Sequence, residues 1–275
     1  MADRTRYTPP HPHPAYRDRY LPAMSCAQIE SLPQRASAIV LVPTGSIEQH
    51  GPHLPVGVDA ILGQSWLGAA LPHVPPDVGV YVAPPITYGI SDEHVGFPGI
   101  VTISARLFYR LLFDTARQIK ALGFQTIAVL NTHGGNSPTL VATLREIQTT
   151  MDMNACMIAP AWKPPVSAQE AAFGFHAGHI ETAWMLAVAS HLVRPDRARC
   201  EYPATVDAPG RLRPENAPAT FSWVTGDVSS SGIMGDATAA NAVDGCEWFD
   251  AGAHSLAGQI IKLAAAIAKP NSSGH

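Results

Sequence analysis

One repeated pattern organises this chain: a short apolar run, a polar glycine-rich segment, then a stretch with helical spacing. Ser37–Val42 is the first run, rich in Val and Ile and ended by Pro43 and Gly45. Runs without polar alternation suit strands covered on both faces, as in parallel sheets. Val78–Ala83, Thr126–Leu130 and Ala155–Pro160 repeat the signal. Ala60–Leu71, Pro138–Met151 and Glu181–Leu192 read as helices, and Ala253–Ala268 as a final Ala-rich amphipathic helix. A further helix places Leu107, Phe108, Leu111, Leu112, Ala116 and Ile119 on one side, with Ser104 as N-cap and Gly123 as C-cap. This alternation predicts an α/β fold: one three-layer αβα domain with a mainly parallel sheet and helices on both faces.

In such sheets ligands bind beyond the carboxyl ends of the strands. The polar segments fall there: Gly45–Asp59, Tyr88–Gly99, Asn131–Asn136 and Trp162 follow the four runs in turn. Four segments distant in sequence are expected to meet at one sheet edge. Residues 1–20 carry four prolines without periodicity and read as a flexible arm, leaving 21–270 as the domain. His11 and His13 belong to that arm. Residues 202–237 show no period, and 226–236 (GDVSSSGIMGD) has the Gly and Ser content of a lid.

Composition excludes several classes. A net charge of −4 offers no basic surface to track a phosphate backbone, so no nucleic-acid partner is expected. No apolar run approaches the roughly 20 residues needed to cross a bilayer. The first residues have no signal-peptide character. Cys26, Cys156, Cys200 and Cys246 form no CxxC pair and read as reduced, mostly buried residues of a cytoplasmic protein. No GxxxxGKS and no GxGxxG between strand and helix is present.

The chemistry concentrates in three segments. In Gly45–Asp59 (GSIEQHGPHLPVGVD), Glu48 and His50 are two residues apart, so an extended chain points both the same way. Gly51 and Pro52 turn the chain, which lets Asp59 return to them. Carboxylate, imidazole and carboxylate suit Zn²⁺, Mn²⁺ or Fe²⁺ better than Ca²⁺ or Cu⁺. Asn131–Asn136 (NTHGGN) supplies His133, and Gly134-Gly135 lets backbone approach a ligand. Residues 176–182 (HAGHIET) supply His176 and Glu181. Each has a plainer reading: a lone histidine after a strand is more often hydrogen-bonded structure, and Glu181 suits a helix N-terminus. Their joint occurrence at successive strand ends favours a ligand set. His179, three residues after His176, is a further candidate ligand if the segment is helical. His94 and Phe97 follow the second run and are candidates for the substrate pocket.

These segments, with Asp92–Gly99 (DEHVGFPG) and the weaker Gly232–Asp236 (GIMGD), resemble the creatininase family over about residues 37–240. The resemblance implies a two-metal centre in which Glu48 and His50 ligate different ions, Asp59 bridges them and His133 is a further ligand. Creatininase itself has a glutamate two residues after that histidine. Here the place is Gly135, and Glu181 is expected to complete the second site. His176 matches the loop histidine that transfers a proton to the leaving group. Two divalent ions, with Glu48, Asp59, Glu181 and one hydroxide, give a centre near neutrality, which limits its desolvation cost. The implied reaction is hydroxide attack on the carbonyl of a small amide, either a cyclic amide of creatinine type or a formamide. Gly134-Gly135 replaces a bulky Tyr-Glu pair, so the pocket differs from creatininase's, with Trp162 as a remaining aromatic wall. That Gly-Gly form resembles other branches of the family, including formamide hydrolases and the peptidase that trims the mycofactocin precursor. A peptidase on a short or modified peptide is therefore the second reading. A one-metal lyase and a silent metal-binding relative are others. Assembly as a homohexamer is implied by the resemblance alone.

Overall fold

The computed structural model describes residues 13–204 and 223–268. Helix α1 (Pro14–Arg17) and helix α2 (Cys26–Glu30) precede strand β1 (Ile39–Thr44). Helix α3 (Val58–Ala70), strand β2 (Val80–Val82), helix α4 (Ala105–Ala121), strand β3 (Thr126–Asn131), helix α5 (Ser137–Met151) and strand β4 (Asn154–Ile158) follow. Then come helices α6 (Ala168–Phe173) and α7 (His179–Ala189), strand β5 (Cys200–Glu201), helix α8 (Thr225–Val228), strand β6 (Gly235–Asp236) and helix α9 (Ala242–Ala268). The main sheet has the order β2-β1-β3-β4 and every pair is parallel; β5 and β6 form a small antiparallel ladder.

Period-2 alternation splits each central strand between two apolar layers. Ile39, Leu41, Ala128 and Leu130 join the layer that holds residues of α3, α7 and α9. Val40, Val42, Ile127 and Val129 join the layer of α4 and α5. In the first layer Trp66 stacks on Phe249 at 4.1 Å and meets Trp184 edge-on at 5.2 Å. In the second, α4 buries Phe108, Leu112, Ala116 and Ile119. The Ser104 side chain accepts from Leu107 N–H at its start, and Gly123, with φ +94°, follows its end as the sequence predicts.

Several boundaries differ from the sequence reading. β1 runs through Pro43 to Thr44 instead of ending before the proline. Leu41 and Pro43 carbonyls both face the β2 side, accepting from Ala83 and Ile86 N–H. β2 ends at Val82, so the proline's missing donor falls where the neighbouring strand has stopped. α9 begins at Ala242, eleven residues earlier than its apolar pattern indicates, because its first turns are held by packing against α7. Residues 13–20 are not a free arm: Tyr16 and Tyr20 are buried in the α3/α9 layer, and Arg19 donates to the Val78 and Pro75 carbonyls. The rest of that arm, including His11, lies outside the described residues, as do residues 205–222 of the aperiodic stretch. All four cysteines are free, but Cys26, Cys200 and Cys246 are exposed and only Cys156 is half-buried, because each of the exposed three sits outside the two apolar layers. No helix among the described residues is long and apolar enough to cross a membrane.

The contact between α7 and α9 depends on a small residue. A Cβ on Gly245 would lie 2.0 Å from the Ala183 carbonyl oxygen, which is backbone and cannot swing away. Gly245→Ala should therefore destabilise the fold by about 1–3 kcal/mol, although alanine in a helix interior gains about 1 kcal/mol in propensity. Chemical denaturation midpoints of the two proteins check this; an equal or raised midpoint contradicts the packing.

Candidate metal centre

All four strand ends of the main sheet lead into loops on the same edge, and three of these loops are tied by one side chain. Asn136 donates to the Gly45 carbonyl at 3.0 Å and accepts from Ile90 N–H at 3.0 Å, joining the segments after β1, β2 and β3. Thr132, just after β3, donates to the Asp59 carbonyl at 2.8 Å and so fixes the start of α3. Asp59 lies in the first turn of α3 and Glu181 in the first turn of α7, where the helix dipole favours a carboxylate.

Glu48, His50, Asp59, His133 and Glu181 converge as two triads. Ligand atoms of Glu48, Asp59 and His133 lie within 4.8 Å of one another, and so do those of His50, Asp59 and Glu181. Asp59 belongs to both. Its Oδ2 is 3.6 Å from His133 Nδ1 and its Oδ1 is 3.6 Å from His50 Nε2. Glu48 Oε2 is 3.1 Å from His133 Nδ1, and Glu181 Oε2 is 3.8 Å from His50 Nε2. Glu48, His50 and Asp59 are almost fully buried.

Each imidazole has one nitrogen committed to backbone. His133 Nε2–H donates to the Ile90 carbonyl at 2.7 Å, and His50 Nδ1–H donates to the Glu48 carbonyl at 3.2 Å. The opposite nitrogens face the carboxylates, and His50 Nε2 is buried with no hydrogen-bond partner. A buried ring nitrogen without a partner, facing three carboxylates, is what a cation site requires. The carboxylates are braced by hydroxyls: Ser46 donates to Asp59 Oδ2 at 2.5 Å and Ser91 to Glu48 Oε2 at 2.7 Å. Ala177 N–H donates to Glu181 Oε2 at 2.6 Å from a left-handed conformation, φ +54°, that alanine adopts rarely.

Charges in the cluster perturb one another. Burial alone would lower both histidines, but Asp59 and its neighbours raise His50 to about 9, and Glu48, Asp59 and Glu93 raise His133 to about 10. Burial would raise Glu48, yet His133 and His94 hold it well below the ordinary carboxylate range. Burial pushes Glu181 up to about 7, with His50 partly opposing.

Two more histidines stack against the triads. His176 lies 4.4 Å from the His50 ring and 4.3 Å from the His94 ring. Gln49 sets their tautomers. Its Oε1 accepts from Gly51 N–H, so its amide nitrogen donates to the Gly232 carbonyl and to His94 Nδ1. Thr225 Oγ1 is also 2.7 Å from His94 Nδ1. The proton of neutral His94 is then on Nε2, 3.4 Å from Glu48 Oε1. His176 Nε2–H donates to the Gln49 carbonyl at 2.7 Å, which leaves Nδ1 unprotonated, 3.6 Å from Glu48 Oε1. Burial and the neighbouring His50 and His94 keep His176 well below the usual imidazole range.

The other candidates are placed as follows. Gly135 is wedged: a Cβ there would lie 2.3 Å from the Ile90 carbonyl and 2.5 Å from Glu93 Oε1. Gly134 is exposed beside it, and Phe97 and Trp162 are half-buried on the loops after β2 and β4. His179 begins α7 and turns away from the cluster, its ring 5.0 Å from that of Trp248. It joins none of the ligand groups because His176 precedes the helix instead of sharing its face. Residues 226–236, read from the sequence as a lid, are held down in their second half. Ile233 and Met234 are fully buried, and Met234 exchanges backbone hydrogen bonds with His176.

Sequence reasoning missed Ser46, Ser91, Gln49, Glu93, Thr225 and above all Glu170. Buried Glu170 accepts from His179 N–H, Asp236 N–H and the Tyr202 hydroxyl, all at 2.8–2.9 Å. It closes β5–β6 onto the His176 loop. Only the serine in GSIEQH and the Gln beside His50 carried a visible signal; Glu170 sits in a short helix without a motif.

The paired triads at one edge of a parallel sheet form a nitrogen and oxygen donor set for divalent ions. The family model described as creatinine amidohydrolase matches residues 22–260, so the chain belongs to the creatininase family. It is 34% identical over 209 residues to the mycofactocin precursor peptide peptidase of Mycolicibacterium smegmatis, covering 75% of this chain and 78% of that one. It is 28% identical over 188 residues to the creatinine amidohydrolase of Pseudomonas putida, covering 61% and 70%. A solved creatininase variant complexed with creatine shares the fold at a TM-score of 0.73 and 22% identity, over 90% of this chain and 98% of that one.

Two outcomes follow from the geometry. Gly135→Ala should push the Ile90 carbonyl off His133 Nε2 and lower metal affinity about 10- to 100-fold, as loss of an orienting hydrogen bond does; metal retention against a graded chelator measures it. His53 is buried against Thr182 Oγ1 at 2.8 Å, and burial with the nearby His50 lowers it to about 4. An unfolded histidine takes a proton near pH 6.5, so the folded state binds fewer protons between about 6.5 and 4. Its contribution is therefore lost as pH falls through that window. His53→Gln should flatten the pH dependence of the denaturation midpoint there; an unchanged slope contradicts it.

Proposed function

We propose that this protein is a two-metal hydrolase that cleaves a C–N bond in a short or modified peptide, with a small cyclic amide or formamide as the second reading. The observation that carries the metal assignment is the shared Asp59 between two triads, with the buried His50 Nε2 left unpartnered. Glu48, Asp59 and His133 would hold one divalent ion, and His50, Asp59 and Glu181 the other. Creatininase is known in Mn and Zn-Zn forms, and a mixed nitrogen and oxygen set fits Zn²⁺ or Mn²⁺, with Fe²⁺ also suited. Such ions acidify a coordinated water and polarise a substrate carbonyl.

The residues of the chain perform the remaining work. His176, neutral and with Nδ1 facing the centre, takes a proton at that atom and delivers it to the departing nitrogen. Gln49 fixes the tautomer that makes Nδ1 available. His94 donates from Nε2 to Glu48 and holds that carboxylate in place. Gly134, Gly135, Phe97 and Trp162 lie on the loops that face incoming substrate. Peptide substrate is supported by the identity to a peptidase, which exceeds that to the creatinine amidohydrolase. It is supported too by Gly134, exposed beside the centre, which puts no side chain in the path of a larger substrate. A cytoplasmic homo-oligomer, hexameric by family resemblance, is part of the same reading.

Elemental analysis of wild type and Asp59→Ala tests the centre. About two tightly held ions per chain, both lost or weakened in the variant, are expected; one ion or none after loading with Zn²⁺ or Mn²⁺ sinks the two-metal reading. Mass spectrometry of a short-peptide panel beside creatinine and formamides tests the substrate. Cleavage of cyclic amides or formamides without any peptide turnover would overturn the peptidase reading and leave the metal centre intact.

A further inference from the structure

A second group of metal-ligating side chains lies at the other end of α3. His73, Asp250 and His254 are exposed, and their ligand atoms lie within 4.8 Å of one another. Asp250 and His254 are one turn apart on α9, so they share a face. His73 ends the turn Leu71–His73 that follows α3. Asp59 and Ala70 bound most of α3, and a rise of 1.5 Å per residue separates them by about 16 Å. The two groups therefore cannot share an ion.

We infer that His73, Asp250 and His254 form a separate surface site for a late-transition divalent ion. The backbones that carry them are fixed. Leu71 and Val74 are buried on either side of His73, and Ala253, Leu256 and Ala257 anchor α9 in the core. Binding then requires only side-chain rotations. His254 Nδ1 donates to the Asp250 carbonyl at 3.0 Å and lies 3.6 Å from Asp250 Oδ1, so coordination through its unprotonated Nε2 needs the ring to turn. The His73 ring stacks on it with centroids 3.8 Å apart. Two imidazoles and one carboxylate are a borderline donor set, completed by water, that selects Cu²⁺, Zn²⁺ or Ni²⁺ over Mg²⁺ and Ca²⁺. A single carboxylate against a divalent ion leaves a net positive site in open solvent. It is consequently weaker and more exchangeable than the buried centre. An ion bound there straps the end of α3 to α9, and stabilises the folded chain by mass action.

The test is calorimetric titration with Zn²⁺ alone, on protein whose buried centre is already loaded, comparing wild type with His254→Ala and His73→Ala. Both changes are on the surface and leave the core intact. Wild type should bind one further Zn²⁺ per chain, with an affinity about 10- to 100-fold or more above either variant, and no comparable uptake of Mg²⁺. The thermal midpoint of wild type should rise with added Zn²⁺ more than that of the variants. Asp59→Ala should keep this site while losing the buried one, so the two assignments fail separately. Equal Zn²⁺ uptake and equal midpoint shifts in wild type and variants would overturn the proposal. A wild-type dissociation constant of about 1 mM or weaker would do the same, as adventitious binding only.

Discussion

Three carboxylates within one small volume, two of them buried and the third half-buried, are the constraint to which the rest of the molecule answers. An ionised carboxylate withdrawn from water is costly unless paired and hydrogen-bonded. Glu48, Asp59 and Glu181 receive donors from Ser91, Ser46 and the Ala177 backbone, and two of them sit at helix starts. Those donors come from the loops after β1 and β2 and from the turn before α7. The parallel sheet gathers them because all its strands end on the same side. The two apolar layers hold the sheet rigid enough that distances of 3–4 Å between ligand atoms persist across segments more than a hundred residues apart.

The five residues proposed to hold metal and the histidine proposed to move a proton are brought together by the fold, and the sequence points to them because their chemistry is written locally. Glu48, His50 and Asp59 stand in one fifteen-residue segment, and His133 and His176 lie in short glycine-containing motifs. The supporting shell was not. Ser91 reaches Glu48 across 43 positions, and Thr225 reaches His94 across 131. Polar residues of this kind have no period and no fixed spacing, so only the folded geometry distinguishes them from loop residues.

The fold was legible to a similar depth. Apolar runs marked all four parallel strands, and caps located α4. What escaped is set by tertiary contact. β1 continues through Pro43 because β2 stops beside it, and the early turns of α9 are stabilised by α7 instead of by their own pattern. Tyr16 and Tyr20 anchor a segment whose prolines suggested freedom. The β5–β6 ladder has two residues per strand, too short for any periodic signal.

Glu170 has a consequence for how such a protein can diversify. It ties Tyr202, Asp236 and the start of α7 together at the base of the segment that leaves after β5 and returns before α8. With both ends clamped by that carboxylate and by the β5–β6 pairing, the separation of the two ends no longer depends on what lies between them. The place of His176 is thereby set by Glu170 and the short ladder beside it, so sequence change elsewhere on the surface can accumulate without displacing that histidine.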